Sequence, residues 1–198
     1  DLGYVKVEGL IPKNTLVELR RVIDKVWDAS REETQSGTVF DLGPGHSPQK
    51  PVLRRLKKPD EYDQVFWDFA SGLIADLASD IAGPDVVFHH SKLNFKWFDA
   101  SDTVKWHQDI QFFPHTNYNV LTIGCYLADT TMENGPLAAL RGSHNMELFN
   151  QYDAAGNWTG MLSDEDAASI NFDDVEYMTG KAGSITIHNA RTLHYSPS

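Results

Sequence analysis

The chain has 198 residues, 41% hydrophobic and 23% charged, which is typical of one globular domain with a sizeable core. Its 17 Lys and Arg against 28 Asp and Glu give a net charge of −11, and such a field disfavours nucleic acid as a partner. No apolar run is long enough for a membrane span. The single cysteine, Cys125, excludes an intrachain disulfide and a cysteine-based zinc cluster. With no secretory leader pattern in the sequence, we expect a cytoplasmic location.

The first half of the sequence has a helical pattern. Apolar residues at three- and four-residue spacing predict a helix over 15–29, where Thr15 and Glu18 fit a capping box. Gly, Pro and Ser are frequent over 36–51, which predicts a loop. A second apolar stripe predicts a helix over 60–82.

In the second half the apolar spacing changes to two, which indicates strands. The predicted strands are 87–98, 119–127, 136–140, 184–188 and 192–196. A polar, irregular segment over 145–162 and a short capped helix over 164–169 lie between them. Helices followed by short strands favour a mainly β domain with flanking helices, an antiparallel sandwich or barrel. We therefore expect one domain, with helices over about 15–82 and the sandwich or barrel over about 85–198.

The tripeptide His107-Gln108-Asp109 carries the first chemical signal. Residues two apart in a strand point to the same face, so this imidazole and carboxylate could bind one metal ion. A second, distant histidine would complete a set of two histidines and one carboxylate, which suits non-haem Fe(II) because it leaves coordination positions open. So short a motif also occurs by chance, and spacing alone leaves several candidates for the third ligand. They are His89, His90, His115, His144, His188 and His194.

Four blocks of sequence narrow this choice. They are Trp106-His107-Gln108-Asp109, Asn134-Gly135-Pro136-Leu137, Arg141-Gly142-Ser143-His144 and AGSITIHNARTLHYS over 182–196. In this order they resemble the phytanoyl-CoA dioxygenase family of Fe(II)- and 2-oxoglutarate-dependent oxygenases. The resemblance covers residues 85–198 well and the N-terminal helices loosely. It implies a double-stranded β-helix, a jelly-roll barrel, whose open end holds iron through His107, Asp109 and His194.

The same resemblance implies the cofactor and the reaction. We expect Fe(II), 2-oxoglutarate and O₂, with hydroxylation of an unactivated C–H bond coupled to decarboxylation of 2-oxoglutarate to succinate and CO₂. Ser196 and Asn94 match positions that contact 2-oxoglutarate, and Thr122 is a further candidate. The family's carboxylate-binding Arg would lie beyond Ser198. Asp109 favours hydroxylation over halogenation, because halogenating relatives carry Gly or Ala there.

Candidate substrate contacts flank the ligand segments or lie in the irregular segment. They are Lys96, Gln111, Phe113, Arg141 and Trp158. Each also has an ordinary structural interpretation, such as a core aromatic, a surface ion pair or a loop anchor. Lys92 and Lys96 on one predicted strand favour an anionic small-molecule substrate.

Two other functions remain open at this point. A jelly-roll protein could bind a small molecule and a metal without turnover. A zinc hydrolase could use the same ligands with a metal-bound water, although no general-base carboxylate is evident near the motif.

Overall fold

The structure is a computed structural model that describes residues 2–96, 103–113 and 115–198. The described strands are β1 (Tyr4–Val7), β2 (Phe40–Leu42), β3 (Leu53–Lys57), β4 (Lys92–Asn94), β5 (Val104–His107), β6 (Leu121–Cys125), β7 (Leu137–Leu140), β8 (Val175–Met178), β9 (Ile185–Asn189) and β10 (His194–Ser196). The described α-helices are α1 (Lys13–Ser30), α2 (Pro59–Tyr62), α3 (Gln64–Phe69), α4 (Ala75–Ala82) and α5 (Asp164–Ser169). Within these ranges, no helix combines the length and the apolarity that crossing a bilayer requires.

The chain divides into two compact units, and the first runs from Ile11 to Ser101. Its longest element is α1, which confirms the helix predicted over 15–29. The predicted capping box at Thr15 is wrong, because α1 begins at Lys13 after Pro12 and no side chain caps it. Proline suits this place since its φ, here −58°, is already close to that of a helix. The buried face consists of Leu16, Leu19, Val22, Val26 and Ser30.

The single helix predicted over 60–82 is broken into pieces. After α2, Asp63 takes an extended conformation, and its carboxylate accepts a hydrogen bond from Val65 N at 3.0 Å, which caps α3. A π-helical turn, Ala70–Ile74, then joins α3 to α4. The predicted stop is confirmed, since Gly83 follows α4 with a φ of 101° that suits glycine.

A small antiparallel sheet in the order β2-β3-β4 completes this unit. The loop predicted over 36–51 therefore contains a short strand, β2. The strand predicted over 87–98 is reduced to β4, and residues 97 and 98 lie outside the described residues. The apolar alternation misleads here because Val87 is 91% exposed and contributes nothing to a core.

The second unit joins Asp1–Leu10 to Asp102–Ser198 and consists mainly of two antiparallel sheets. Their strand orders are β1-β9-β6 and β5-β10-β7-β8. The strands predicted over 119–127, 136–140, 184–188 and 192–196 are confirmed as β6, β7, β9 and β10. The short helix α5 is confirmed as well, with Ser163 Oγ accepting from Asp166 N at 3.0 Å. The apolar pattern does not predict β1 and β8, because both are edge strands with few buried residues.

The irregular segment over 145–162 contributes to a hydrophobic cluster beside β7 and β10. Its Phe149 and Leu162 are buried together with Leu140 and Leu193. Leu193 directly precedes His194, so this cluster lies on the side of β10 away from His194. The segment thus supports the strand from outside.

Gln108 connects the segment over 145–162 to the turn before β10. Its fully buried side chain donates from Nε2 to Glu147 O at 3.1 Å and to Arg191 O at 2.9 Å. Its Oε1 accepts from Phe149 N at 3.0 Å. One side chain therefore satisfies backbone groups of the segment and of the turn before β10.

Replacing Gln108 should therefore destabilise the fold. Gln108→Leu keeps the volume but removes the partner of three backbone groups, of which Phe149 N is buried and the two carbonyls are partly buried, so we expect a loss of about 2–4 kcal/mol in the free energy of unfolding. Urea denaturation measures this loss, with exposed Gln35→Leu as the matched control. Equal stability of the two variants would contradict the role of Gln108.

Candidate metal centre

Three buried side chains converge where β5 ends and β10 begins. His107, Asp109 and His194 each offer one ligand atom, and these atoms all lie within 4.8 Å of one another. Asp109 Oδ1 is 3.5 Å from His107 Nε2 and 3.7 Å from His194 Nε2. His107 and His194 are cross-strand partners, and their ring centroids are 4.1 Å apart. In the described part of the chain, this is the one cluster of its kind.

The carboxylate reaches the histidines from a turn and not from a strand. β5 ends at His107, and Asp109 opens a 3₁₀ turn, Asp109–Gln111. Ile110 N donates to Ala190 O at 2.9 Å, which fixes this turn against the residues before β10. The prediction that His107 and Asp109 lie on the same face of one strand is therefore wrong, although their side chains do come together.

The backbone sets the tautomer of both histidines. Nδ1 of His107 is 2.8 Å from Lys105 O, and Nδ1 of His194 is 2.8 Å from Thr192 O. A carbonyl oxygen only accepts, so each Nδ1 carries the proton and each Nε2 keeps its lone pair for a metal. Burial, followed by the nearby imidazoles of His188 and His107, lowers the pKa of His194 well below its usual value. This ring is therefore neutral, as a metal ligand must be.

Two further side chains hold the second oxygen of Asp109. Thr122 Oγ1 donates to Oδ2 at 2.7 Å, and His188 Nε2 donates to it at 3.3 Å. Thr122 and His188 are cross-strand partners on β6 and β9, so one sheet supplies both donors. With Oδ2 engaged in this way, Oδ1 is the oxygen that faces His107 and His194.

Asp109 carries a negative charge despite its burial. Burial by itself raises the pKa of Asp109, but the imidazoles of His107, His188 and His194 outweigh it, so the pKa lies below its usual value. Nε2 of His107, Nε2 of His194 and Oδ1 of Asp109 thus face one another in a buried place. A positive charge between these atoms compensates the buried carboxylate, and a metal ion can supply it. The donor set fits a divalent metal such as Fe(II), with coordination positions left for other ligands.

Sequence reasoning did not single out His188. It was one of several rivals for the third ligand, whereas the structure makes it a hydrogen-bond partner of Asp109. The sequence of β9 could have indicated a polar role for His188, because Thr186 and His188 alternate there with the apolar Ile185 and Ile187. Buried polar residues on one face of such a strand indicate a polar site on that side.

The three residues predicted to contact 2-oxoglutarate lie on three different strands. Thr122 contacts Asp109, as described above. Ser196 lies on β10, and its Oγ donates to Gly135 O at 2.9 Å. Asn94 belongs to the unit from Ile11 to Ser101, where its Oδ1 accepts from Arg55 Nε at 2.9 Å.

The predicted substrate contacts are also dispersed. Gln111 and Trp158 line one cavity next to the metal centre. Phe113 follows the aromatic residue Phe112, with ring centroids 6.0 Å apart. Arg141 lies in an exposed ion pair, with its Nη2 3.8 Å from Glu176 Oε2. Lys96 belongs to the other unit.

Antiparallel sheets that hold two histidines and one carboxylate at the strand ends define a class of proteins, the mainly β non-haem iron oxygenases. The family model for phytanoyl-CoA dioxygenase (PhyH) matches residues 1–198. The chain belongs to this family, and the predicted relation to Fe(II)- and 2-oxoglutarate-dependent oxygenases is confirmed.

Three relatives illustrate the match. A probable alpha-ketoglutarate-dependent hypophosphite dioxygenase of Stutzerimonas stutzeri is 30% identical, over 99% of this chain and 69% of the relative. An L-proline trans-4-hydroxylase of Streptomyces griseoviridis is 26% identical, over 90% of this chain and 71% of the relative. An ectoine dioxygenase of Sphingopyxis alaskensis is 25% identical, over 74% of this chain, and the match spans 47% of the relative.

Solved structures share the fold. The crystal structure of EctD from S. alaskensis in its apoform superposes with a TM-score of 0.79 at 22% identity, over 100% of this chain and 68% of EctD. EctD with 2-oxoglutarate and 5-hydroxyectoine gives a TM-score of 0.78 over 100% of this chain and 67% of EctD. The prediction of a mainly β fold with additional helices is therefore confirmed.

Loosening the carboxylate should weaken metal binding. Thr122→Val keeps the side-chain shape but removes the 2.7 Å hydrogen bond to Asp109 Oδ2. Because outer hydrogen bonds orient metal ligands, we expect the affinity for Fe(II) to fall by about 10-fold or more in anaerobic titrations. Exposed Thr38→Val serves as the control. Equal affinity of the two variants would show that Thr122 does not orient Asp109.

Proposed function

We propose that His107, Asp109 and His194 hold Fe(II) and that the chain is a 2-oxoglutarate-dependent dioxygenase. The reaction is hydroxylation of an unactivated C–H bond in a small molecule. The observation that carries the proposal is the convergence of two Nε2 atoms and one Oδ1 atom within 4.8 Å. The chemistry that the bound metal supplies is activation of O₂ coupled to decarboxylation of 2-oxoglutarate to succinate and CO₂. The printed name of the hypophosphite relative supports dependence on 2-oxoglutarate, and those of the ectoine and proline relatives support oxygenation of a small organic molecule.

The chain's own residues supply the orientation of the ligands. Backbone carbonyls of Lys105 and Thr192 fix the two ligand rings. Hydrogen bonds from Thr122 and His188 occupy Oδ2 of Asp109, so the carboxylate presents one oxygen to the metal. Such fixed residues would hold Fe(II) in one position, from which it would supply the chemistry with 2-oxoglutarate and O₂.

The proposal includes a double-stranded β-helix, the jelly-roll barrel of this family. Its two sheets would be β1-β9-β6 and β5-β10-β7-β8. Support comes from Asp109, which follows β5 of one sheet and bonds to Thr122 and His188 of the other. The metal site would then lie between the two sheets.

Thr122 and Ser196 remain our candidates for contacts with 2-oxoglutarate, and Asn94 stays a prediction from the family resemblance. A glycine on β6 lies close to the neighbouring strand β9. A Cβ on Gly124 would lie 2.5 Å from Thr186 Oγ1, so a side chain at this position would clash unless Thr186 shifted. The space beside Gly124 is therefore taken by the side chain of Thr186, its cross-strand partner.

Anaerobic titration with Fe(II) and 2-oxoglutarate tests the assignment. We expect the visible charge-transfer band of the chelate, followed by succinate release when O₂ is admitted with a substrate. His107→Ala, Asp109→Ala and His194→Ala should each abolish the band, because each removes one of the three ligand atoms. Exposed His89→Ala is the matched control and should keep it.

Two outcomes would contradict the proposal. Retention of the band in His194→Ala would remove that residue from the ligand set. A stable band without succinate release, across a panel of small molecules, would favour a metal-binding protein without turnover. Circular dichroism of each variant ensures that the comparison is made between folded proteins.

A further inference from the structure

A cavity of about 320 Å³ lies beside the metal centre, within the same unit. Two of its lining residues, Ile110 and Gln111, directly follow Asp109 in the chain. Phe112 connects the cavity wall to the ligands, since its ring centroid is 5.6 Å from that of His107 and 5.0 Å from that of Trp158. A molecule in the cavity would therefore be adjacent to the ligand set.

The wall of the cavity is mostly apolar and aromatic. Tyr118, Tyr152 and Trp158 line it and are 47%, 48% and 40% exposed, and Leu148 adds an aliphatic surface. Large aromatic side chains seldom stay exposed together unless a ligand or partner uses them. Concave sites with apolar walls and a few polar groups are typical of small-molecule binding.

The two central aromatic rings are held in place before any ligand binds. Tyr152 and Trp158 form an antiparallel bridge, and their ring centroids are 5.1 Å apart at an angle of 68°. Asp153 Oδ1 closes the turn between them by accepting from Ala155 N at 2.9 Å and from Asn157 N at 2.8 Å. Such preorganisation lowers the entropy cost of binding.

Charged side chains are few in the described lining. It contains no Lys, Arg, Asp or Glu, and His115 is its one imidazole. Behind the lining, Arg191 stacks on the Tyr118 ring at 4.6 Å and donates from Nη2 to Met146 O. Among the described lining residues, a cation would gain no ionic partner and an anion at most the imidazole of His115, so a charged ligand would lose hydration with little compensation. Hydroxyls of Tyr118 and Tyr152 and the indole N–H of Trp158 can instead serve neutral polar groups.

We propose that this cavity binds the substrate, and that the substrate is an uncharged organic molecule with a ring or a branched apolar body. The inference rests on the proposed function and adds the substrate class to it. The volume of about 320 Å³ suits a small organic molecule, whereas a small inorganic anion would leave most of the apolar wall in contact with water. This class differs from the anionic substrate that Lys92 and Lys96 favour.

Ligand-observed NMR on the full chain tests the cavity directly. The probes are indole as an uncharged ring, hypophosphite as an inorganic anion and choline as a cation. We expect binding of indole in preference to both ions. Trp158→Ala and Tyr152→Ala should raise the Kd for indole about tenfold, because each removes one aromatic wall. Trp67→Ala, at another exposed tryptophan, is the matched control.

A second arm separates this inference from the metal assignment. His107→Ala should still bind indole with unchanged Kd, even though it lacks a metal ligand. With the Fe(II)- and 2-oxoglutarate-loaded protein, uncharged cyclic compounds should stimulate succinate release more than hypophosphite does. That stimulation should fall in Trp158→Ala and persist in Trp158→Phe, which restores an aromatic ring.

Three results would overturn the inference. The first is tighter binding of hypophosphite or choline than of indole. The second is an unchanged Kd for indole in both Trp158→Ala and Tyr152→Ala. The third is succinate release that responds to hypophosphite and not to the uncharged compounds. Loss of Fe(II) binding with retained indole binding would instead count against the proposed function alone.

Discussion

The site depends on the orientation of one buried carboxylate. Asp109 Oδ2 accepts hydrogen bonds from Thr122 and His188, and this leaves Oδ1 to face the Nε2 atoms of the two candidate ligand histidines, His107 and His194. Without these donors the carboxylate could rotate, and the buried negative charge would lose its compensation. The same contacts join the residue after β5 to the opposite sheet, so the position of the ligand and the approach of the two sheets are set together.

Residues next to one another in an extended chain point to opposite sides, and here the two sides have different roles. His107 points toward the site, whereas Gln108 points away from it and bonds to the backbone of the covering segment. His194 likewise points inward, while Leu193 packs in a hydrophobic cluster. Each ligand thus has a neighbour that fastens its strand to the rest of the unit. Rigid support of this kind keeps metal ligands in place without using the ligand atoms themselves.

Much of this could be predicted from the sequence, for reasons that differ between the elements. Helix α1 has a regular apolar stripe, and the ordered motif blocks pointed to His107, Asp109 and His194. The helix over 60–82 was predicted as one piece because its stripe continues across Asp63, whose capping role depends on local backbone geometry. His188 could not be distinguished from its rivals, because its partner Asp109 lies 79 positions away in the chain. The cavity could not be predicted, because its lining residues are spread between Ile110 and Trp158 and form no sequence motif.

The most direct test is a crystal structure of the protein with Fe(II), with anomalous scattering measured at the iron edge. The account predicts one iron atom bound by Nε2 of His107, Oδ1 of Asp109 and Nε2 of His194, with Thr122 and His188 still bonded to Oδ2. An iron atom coordinated by His188, or one located away from these three ligand atoms, would contradict it.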